Sequence, residues 1–471
     1  MFKNVLFLTT GNVVHSLMLL VRNVVVARLI SVENFGIAAT FAITMALIEM
    51  MTQLGMDSMI VQDKDGNKPR MQAGLQTFQA IRGTFAGLLL FAIAGPYAAL
   101  LGVSDIVWAY QLIALVPIVR GFIHFDVHRL KREMNFGPFV MHLAVPTTLS
   151  VVLAWVFSYI WDDYRIMLYA LLSQHFLTVV ISHVMAERRF EFVWDFSLMK
   201  RAFSFGWPLL INGGLLFIIF NGEKIIVGRE LGMIEFALFA MMFTFTLTPT
   251  LVLQTTTRSF FLPQLSAEQS NDAAFTRLSH VTLQIALLVG ILLTVGFAIV
   301  GPPVVGLLLG EKYYPGLALL VWLAIAQSVR VAKMGSAIVS VARAFTNNSM
   351  IANGPRVLAM PLAWYLVSSG YGIMALITVA IIAEIVGYLI SLHLVRTRVN
   401  VELGAILWPV ILTGLTIGLV AVDLILYPPE SGAILGHLHG FQLVYIAAGL
   451  VAIASMKETI AYVMNRTKAP G

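Results

Sequence analysis

Apolar residues fill most of this chain in continuous stretches of about twenty, and short segments between them hold most of the charges. A helix of about twenty apolar residues spans a bilayer, and continuous runs are unlike the alternating strands of a membrane barrel. The pattern predicts an all-α polytopic membrane protein with about fourteen transmembrane helices. We place these at residues 5–28, 37–61, 78–101, 106–128, 138–160, 165–187, 203–227, 233–257, 279–308, 316–343, 350–368, 371–396, 403–427 and 438–463.

The composition supports a membrane protein. Of the 471 residues, 59% are hydrophobic and only 11% are charged, with a mean hydropathy of +0.87, whereas a soluble domain carries about 25% charged residues. The net charge of +6 suits basic cytoplasmic loops better than nucleic-acid binding. The chain has no cysteine, which excludes thiolate metal sites. We find no motif for a metal or a cofactor and predict neither.

The positions of the basic residues predict the orientation of the chain. With the N-terminus in the cytoplasm, four basic residues lie in outer loops: Arg28, Arg165, Arg229 and Lys312. Sixteen lie in inner segments: Lys3, Lys64, Lys68, Arg70, Arg129, Lys131, Arg132, Arg188, Arg189, Lys200, Arg201, Arg277, Arg396, Arg398, Arg466 and Lys468. Basic residues accumulate on the cytoplasmic side, so both termini are expected to be cytoplasmic.

Two polar segments resemble each other and suggest a duplication. "ARLISVENFG" (Ala27–Gly36) and "GRELGMIEFA" (Gly228–Ala237) overlay after a shift of 201 residues, which pairs Arg28 with Arg229 and Phe35 with Phe236. Each segment is predicted to form a short turn between two helices. A repeat of six helices is parallel, because an even number returns the chain to the same side. The predicted organisation is a six-helix bundle at 1–190, a second at 191–400, and two further helices at 401–471.

Several motifs, in a common order, resemble the polysaccharide transporter (Wzx-like flippase) branch of the multidrug/oligosaccharidyl-lipid/polysaccharide exporter superfamily. They are the "ARLISVENFG" turn, "LGMDSMIVQ" (54–62), "FGWPLL" (205–210), "VGRELG" (227–232), "SFFLPQLS" (259–266) and "LLLGEKYYPG" (307–316). The resemblance implies two bundles that alternate access around a central site. It also implies a polyprenyl-pyrophosphate-linked oligosaccharide as substrate, a role in exopolysaccharide biosynthesis and a bacterial cytoplasmic membrane location. Other polysaccharide assembly proteins are candidate partners.

Charges inside the predicted helices are the candidate binding residues, because a charge at the bilayer centre usually faces a cavity or a partner. The cavity candidates are Arg22, Arg120, Asn221, Lys224, Gln327, Arg330 and Lys333. Gln327, Arg330 and Lys333 share one helical face. Arg356, near a predicted helix end, is expected to reach the membrane interface instead. The bases outnumber the intramembrane acids and therefore suit a pyrophosphate.

Four further residues are candidates for coupling or for charge pairing: Glu49, Glu223, Glu384 and His15. A pair between Arg22 and Glu223 is one alternative to an open cationic cavity, and pairing of Glu384 with a base is another. His15 is either a proton relay or a neutral packing residue. A proton or a sodium ion is the candidate coupling ion.

Three other functions were weighed against a flippase. A cation-coupled multidrug exporter of the same superfamily would favour an acidic, aromatic cavity. A membrane glycosyltransferase or polymerase would need a large outer loop or an acidic catalytic pair. The only outer acidic pair, Asp162–Asp163, lies in a very short loop. A nucleotide-driven pump would need a phosphate-binding loop, G-x-x-x-x-G-K-[ST], which the sequence lacks. We therefore predict a transporter rather than an enzyme.

Overall fold

The computed structural model describes residues 2–52, 55–430, 432 and 439–468. These described residues are 85% helical and contain no strand, so the predicted all-α class is confirmed. In the same ranges, eight helical runs are long and apolar enough to span a membrane: Pro69–Leu100, Gly137–Phe157, Arg165–Val184, Met233–Ala267, Asp272–Ile299, Glu311–Ala342, Asn347–Arg398 and Gly404–Leu426. The bent pair Phe441–Ala454 and Lys457–Asn465 makes a ninth when it is counted as one span. The count of fourteen stays a prediction.

The chain divides into two compact units, Met1–Ala237 and Leu238–Gly471. The sequence predicts its first bundle boundary at residue 190 instead. The structural division falls later because the helix after residue 195 packs on helices from the start of the chain. The predicted boundary at residue 190 remains a proposal about the repeat.

The first unit contains ten helices and the start of an eleventh. They are α1 (Phe2–Leu29), α2 (Val32–Thr52), α3 (Met56–Gln62), α4 (Pro69–Leu100), α5 (Val107–Ile113), α6 (Leu115–Arg120), α7 (Asp126–Arg132), α8 (Gly137–Phe157), α9 (Arg165–Val184), α10 (Phe196–Leu231) and α11 (Met233–Ala267). Helix α8 packs between α1 and α9, α6 packs on α4 and α9, and α10 packs on α2 and α4.

Helix α10 starts at a capped end. The Asp195 carboxylate accepts hydrogen bonds from the Leu198 N–H (3.1 Å) and the Ser197 hydroxyl (2.6 Å), and it forms an ion pair with Arg70 (3.0 Å). These contacts hold the pKa of Asp195 below its usual value. Aspartate is a strong N-cap because its oxygen satisfies an otherwise unpaired N–H of the first turn. The cap explains why the helix begins seven residues before the predicted span at 203.

The second unit continues with α11 and adds nine helices. They are α12 (Asp272–Ile299), α13 (Gly301–Leu309), α14 (Leu317–Ala342), α15 (Asn347–Leu358), α16 (Met360–Leu366), α17 (Gly372–Arg398), α18 (Gly404–Leu426), α19 (Phe441–Ala454) and α20 (Lys457–Lys468). Helix α14 packs between α12 and α17, and α15 packs on α17. Gly370 and Gly372, at φ of 90° and 68°, allow the reversal between α16 and α17. The C-terminal helices belong to this core, since α18 and α20 both pack on α12.

Two predicted spans are interrupted in the structure. The predicted helix at 106–128 consists of α5, α6 and the start of α7, with a turn after Arg120. Pro117 lacks an N–H and cannot bond to the Ile113 carbonyl, which accounts for the break between α5 and α6 at Ala114. The predicted helix at 279–308 divides at Val300, directly before Gly301 and Pro302, into α12 and α13.

The two turns that share a sequence pattern contact each other in the first unit. The structure narrows the first turn to Ile30–Ser31 and the second to Gly232, whose φ is 88°. A Cβ atom on Gly36 would lie 2.1 Å from the Met233 carbonyl oxygen. A Cβ on Gly102 would lie 3.4 Å from the Gly228 carbonyl oxygen. Only glycine at position 36 permits this close approach of backbones.

Candidate functional site

A buried cluster of charges joins three helices of the second unit. Arg330 and Lys333 lie on α14, Arg356 lies on α15, and Glu384 lies on α17. The Glu384 carboxylate forms ion pairs with Arg330 (Nε to Oε1, 3.1 Å) and with Lys333 (Nζ to Oε2, 2.6 Å). Arg356 Nη1 lies 3.7 Å from Oε1. Arg330 Nη1 also donates to the Gln327 side-chain oxygen at 3.1 Å. We call these five residues the Glu384 cluster.

The Glu384 cluster is nearly removed from solvent and carries a surplus of positive charge. The side chain of Glu384 is 1% exposed, and those of Lys333 and Arg330 are 9% and 11% exposed. Three bases surround one carboxylate, so the cluster has a net charge of +2 when all four groups are ionised. Burying an uncompensated charge costs several kcal/mol per ion. Such a surplus is therefore expected where an anion is to be received.

Arg356 does not extend to the membrane interface as the sequence predicts. Its side chain is 3% exposed, and Nη1 donates to the Ala380 carbonyl oxygen at 3.3 Å. The expectation was wrong because α15 packs on α17. That helix supplies the Ala380 carbonyl oxygen and the Glu384 carboxylate as partners for Arg356 within the packed interface.

Arg22 is buried among neutral partners in the first unit. It is 4% exposed, and its Nη1 donates to Ser150 Oγ at 3.3 Å and to the Gln174 side-chain oxygen. Helices α8 and α9 therefore supply the acceptors. The predicted alternative, an ion pair between Arg22 and Glu223, does not occur: among the described residues the contacts of Arg22 go to neutral oxygens. Within that part of the chain, no acceptor is present for Arg22 Nε.

His15 belongs to the same network of polar side chains. Its Nδ1 lies 2.9 Å from Thr147 Oγ1, and Gln174 Nε2 donates to that hydroxyl at 3.2 Å. The histidine is therefore joined through Thr147 and Gln174 to the guanidinium of Arg22. This arrangement fixes the ring between α1 and α8. A relay role for His15 remains a prediction.

Four of the remaining coupling and cavity candidates lie on α10 and α2. Asn221 and Glu223 are buried, at 5% and 6% exposure, and Lys224 is half-buried. Asn221 and Lys224 share a face because they are three residues apart. The side chain of Glu49 lies outside the described residues. The structure thus assembles one group of candidates in the first unit, around Arg22 and His15, and one in the second unit, around Glu384.

Arg120 lines a cavity inside the first unit. The cavity has a volume of about 400 Å³. Its polar lining includes Asp57, Gln79, Arg82, Arg120, His128, His142 and Thr178, and its apolar lining includes Ile48, Pro117, Ile123, Phe139 and Leu143. We call this space the α4–α8 cavity.

Arg82 also lines the α4–α8 cavity, although it is not among the cavity candidates predicted from the sequence. Arg82 lies four residues inside the predicted helix at 78–101, where a long basic side chain commonly reaches the interface. The sequence does contain a signal for Arg82, namely its position on one face of α4. Arg82 follows Gln72, Gln76 and Gln79 along α4, and these amides mark a polar face in an otherwise apolar helix.

Comparison with known proteins identifies the family. Residues 25–318 match the model of the family described as "Polysaccharide biosynthesis protein". This match covers more than half of the chain, and the chain belongs to that family. The sequence resemblance to the polysaccharide transporter branch of the multidrug/oligosaccharidyl-lipid/polysaccharide exporter superfamily is confirmed. The protein is a multi-pass inner-membrane protein of a polysaccharide biosynthesis family.

One curated relative and two solved structures extend this assignment. The succinoglycan biosynthesis transport protein ExoT of Rhizobium meliloti (strain 1021) is 25% identical over 217 residues, which cover 44% of this chain and 42% of ExoT. The chain thus matches less than half of that relative's length. The lipid II flippase MurJ, in an inward closed conformation, aligns with a TM-score of 0.70 at 12% identity, covering 98% of this chain and 99% of MurJ. An inward-facing multidrug resistance MATE family transporter aligns with a TM-score of 0.67 at 17% identity, covering 82% and 94%. These two likenesses show the fold alone.

Proposed function

We propose that this protein is a flippase for a polyprenyl-pyrophosphate-linked oligosaccharide. It moves the oligosaccharide from the cytoplasmic to the outer leaflet by alternating access around a cationic central cavity. The observation that carries the proposal is the Glu384 cluster, in which three buried bases share one carboxylate. Family membership supports a role in polysaccharide biosynthesis, and ExoT is itself a succinoglycan biosynthesis transport protein.

The chemistry of the substrate accounts for the surplus of bases. A pyrophosphate loses its hydration when it enters the membrane, and charged hydrogen bonds must replace that hydration. An arginine guanidinium binds two phosphate oxygens at once, and a lysine ammonium supplies a compact positive charge. In this proposal Gln327, Arg330 and Lys333 contact the pyrophosphate together with Arg22, Arg120, Asn221 and Lys224. The polyprenyl chain stays in lipid.

The organisation and the energy source belong to the same proposal. Two parallel six-helix bundles, 1–190 and 191–400, move relative to each other, helices within 401–471 accompany the second bundle, and both termini are cytoplasmic. A proton or sodium gradient drives the cycle through Glu49, Glu223, Glu384 or His15.

A multidrug exporter of the same superfamily is the alternative. The net positive Glu384 cluster is unfavourable for cationic drugs, and the MATE likeness concerns only the fold.

The test of this proposal uses a strain that lacks the gene. We expect the lipid-linked oligosaccharide to accumulate on the cytoplasmic leaflet and the wild-type gene to restore polysaccharide export. Arg330→Ala and Lys333→Ala are each expected to lower export at least tenfold at normal membrane abundance, because each removes a charged contact to phosphate that contributes about 1.5–3 kcal/mol. Export is measured as surface polysaccharide per cell.

The matched control for these two variants is Arg277→Ala. Arg277 is also basic and also paired with an acid, Glu458, at 3.5 Å, but its side chain is 58% exposed. Its loss should leave export unchanged. Full export by both Arg330→Ala and Lys333→Ala would remove the Glu384 cluster from the substrate pathway. Absence of lipid-linked oligosaccharide in the deletion strain would reject the substrate class itself.

A further inference from the structure

Helix α20 departs from the direction of the helix before it. It turns by 64° from α19 at a short break, Ser455 and Met456. Helices that span a membrane tilt on average by about 20° from the membrane normal. A turn of 64° therefore directs α20 toward the plane of the membrane.

Hydrogen bonds place the start of α20 level with the end of a membrane span. The Gln284 side chain, on α12, donates to the Ala405 carbonyl oxygen at 3.1 Å and accepts the Thr459 N–H at 2.9 Å. Ala405 lies in the first turn of α18, and Thr459 lies in the first turn of α20. The 23 residues of α18 extend about 34 Å, which is enough to cross the hydrocarbon core. The first turn of α20 thus lies at the edge of that core.

One side of α20 is attached to the second unit. The Tyr462 hydroxyl donates to the Gln264 side-chain oxygen of α11 at 2.8 Å, and Thr459 is 7% exposed. These two residues of α20 are three positions apart and share a helical face. Glu458 pairs with Arg277 of α12 at 3.5 Å. These contacts with α11 and α12 fix the rotation of α20 about its own axis.

A second side of α20 is apolar and exposed. The side chains of Ile460, Val463 and Met464 are 40%, 52% and 51% exposed, and their spacing of three and four residues places them on one face. Asn465, which is also exposed, lies about 140° around the helix from Ile460. A contiguous apolar face is unfavourable in water. A helix with one apolar and one polar side is typical of the membrane interface.

The charges of α20 indicate which lipids suit it. Its sequence contains three bases, Lys457, Arg466 and Lys468, and one acid, Glu458. That acid is paired with Arg277, so the bases outweigh it. Each basic residue close to an anionic bilayer surface strengthens binding about fivefold. An apolar face combined with surplus positive charge therefore favours a surface of anionic lipid.

We propose that α20 is an interfacial helix that lies on the membrane surface and binds anionic lipid head groups. Its apolar face enters the membrane at the leaflet where α18 begins, and its bases contact the head groups there. In the orientation proposed above, this is the cytoplasmic leaflet. The proposal goes beyond substrate transport, because it concerns how the C-terminal part of the second unit is held in the bilayer. The span predicted at 438–463 then ends near Ala454, before α20.

The test measures the depth of single spin labels in the full-length protein. The protein is reconstituted into vesicles of phosphatidylcholine, with or without phosphatidylglycerol. Because the chain has no cysteine, Ile460→Cys and its matched control Asn465→Cys each provide one labelling site. Electron paramagnetic resonance compares collisions with oxygen, which concentrates in lipid, and with a water-soluble nickel complex. The oxygen-to-nickel ratio should be about fivefold higher or more at position 460, because the apolar face of such a helix enters the bilayer by about 5–10 Å.

The outcomes distinguish lipid from water and from protein. Frequent nickel collisions at position 460 would place the apolar face in water, and few collisions with either reagent would place it against protein. Both results overturn the proposal. If Ile460→Cys proves unable to fold, as judged by gel filtration, Val463→Cys reports on the same face.

The role of anionic lipid has its own outcome. The ratio at position 460 should rise when phosphatidylglycerol is present, and the combined changes Lys457→Gln, Arg466→Gln and Lys468→Gln should abolish that rise. Equal ratios in the two kinds of vesicle would reject anionic lipid as the partner. These readings require no lipid-linked oligosaccharide, so their failure would leave the proposed flippase unaffected.

Discussion

Glu384→Gln is expected to destabilise the folded protein by about 3–5 kcal/mol, the usual cost of leaving buried charges without their partner. Glu384 is the carboxylate shared by Arg330, Lys333 and Arg356, and its side chain is 1% exposed. Glutamine keeps the size but removes the charge, so three cations repel one another in a low-dielectric interface. Thermal unfolding in detergent, followed by tryptophan fluorescence, measures the loss.

Two further variants make the Glu384 result specific. Glu402→Gln changes an exposed glutamate just after the C-terminal end of α17 and should leave the unfolding temperature unchanged. Lys333→Met combined with Glu384→Gln removes a base together with the acid and should recover part of the stability. The double variant would then be more stable than the sum of its single changes predicts. Additive losses would contradict electrostatic coupling within the Glu384 cluster.

The polar stripe of α14 was predictable because helical geometry is local. Gln327, Arg330 and Lys333 recur at every third residue, and that spacing places them on one face whatever the tertiary structure. Glu384 was predictable as a buried charge but not as the common partner of three bases. Which helices meet depends on the packing of α14 against α17, and the sequence of one helix does not determine its neighbours.

Helix interruptions account for most of the remaining differences. The sequence predicts a continuous helix at 279–308, because apolar residues continue through the break between α12 and α13. Hydropathy measures partition into lipid and does not sense backbone geometry. Arg356 was misplaced because its partners, the Ala380 carbonyl and Glu384, lie on α17, and the sequence of α15 does not show which helix is its neighbour. The partners of Arg22 are Ser150 and Gln174. Both are uncharged, so a search of the sequence for opposite charges does not find them.

Gly36→Ala tests the contact between the two turns and is expected to destabilise the folded protein by about 1–3 kcal/mol, as overpacked sites do. The added Cβ would lie 2.1 Å from the Met233 carbonyl oxygen and 2.9 Å from its carbon. These are backbone atoms, so no rotamer change can relieve the overlap, and the turns must separate. Thermal unfolding measures the stability. Because the chain has no cysteine, Ala237→Cys can report the separation as faster maleimide labelling of a buried position.

Gly418→Ala is the matched control, because the same substitution should have the opposite sign there. Gly418 lies within α18, and a Cβ added to it meets no atom within 4 Å. Alanine favours a helix over glycine by about 0.8–1.0 kcal/mol, so this variant should be neutral or slightly more stable. In Gly36→Ala the same gain in helix propensity offsets only part of the overlap. Equal unfolding temperatures and equal labelling rates for the two variants would show that the turns do not depend on close packing at Gly36. If they do depend on it, this contact holds the described conformation, and the alternating-access cycle proposed above must break it.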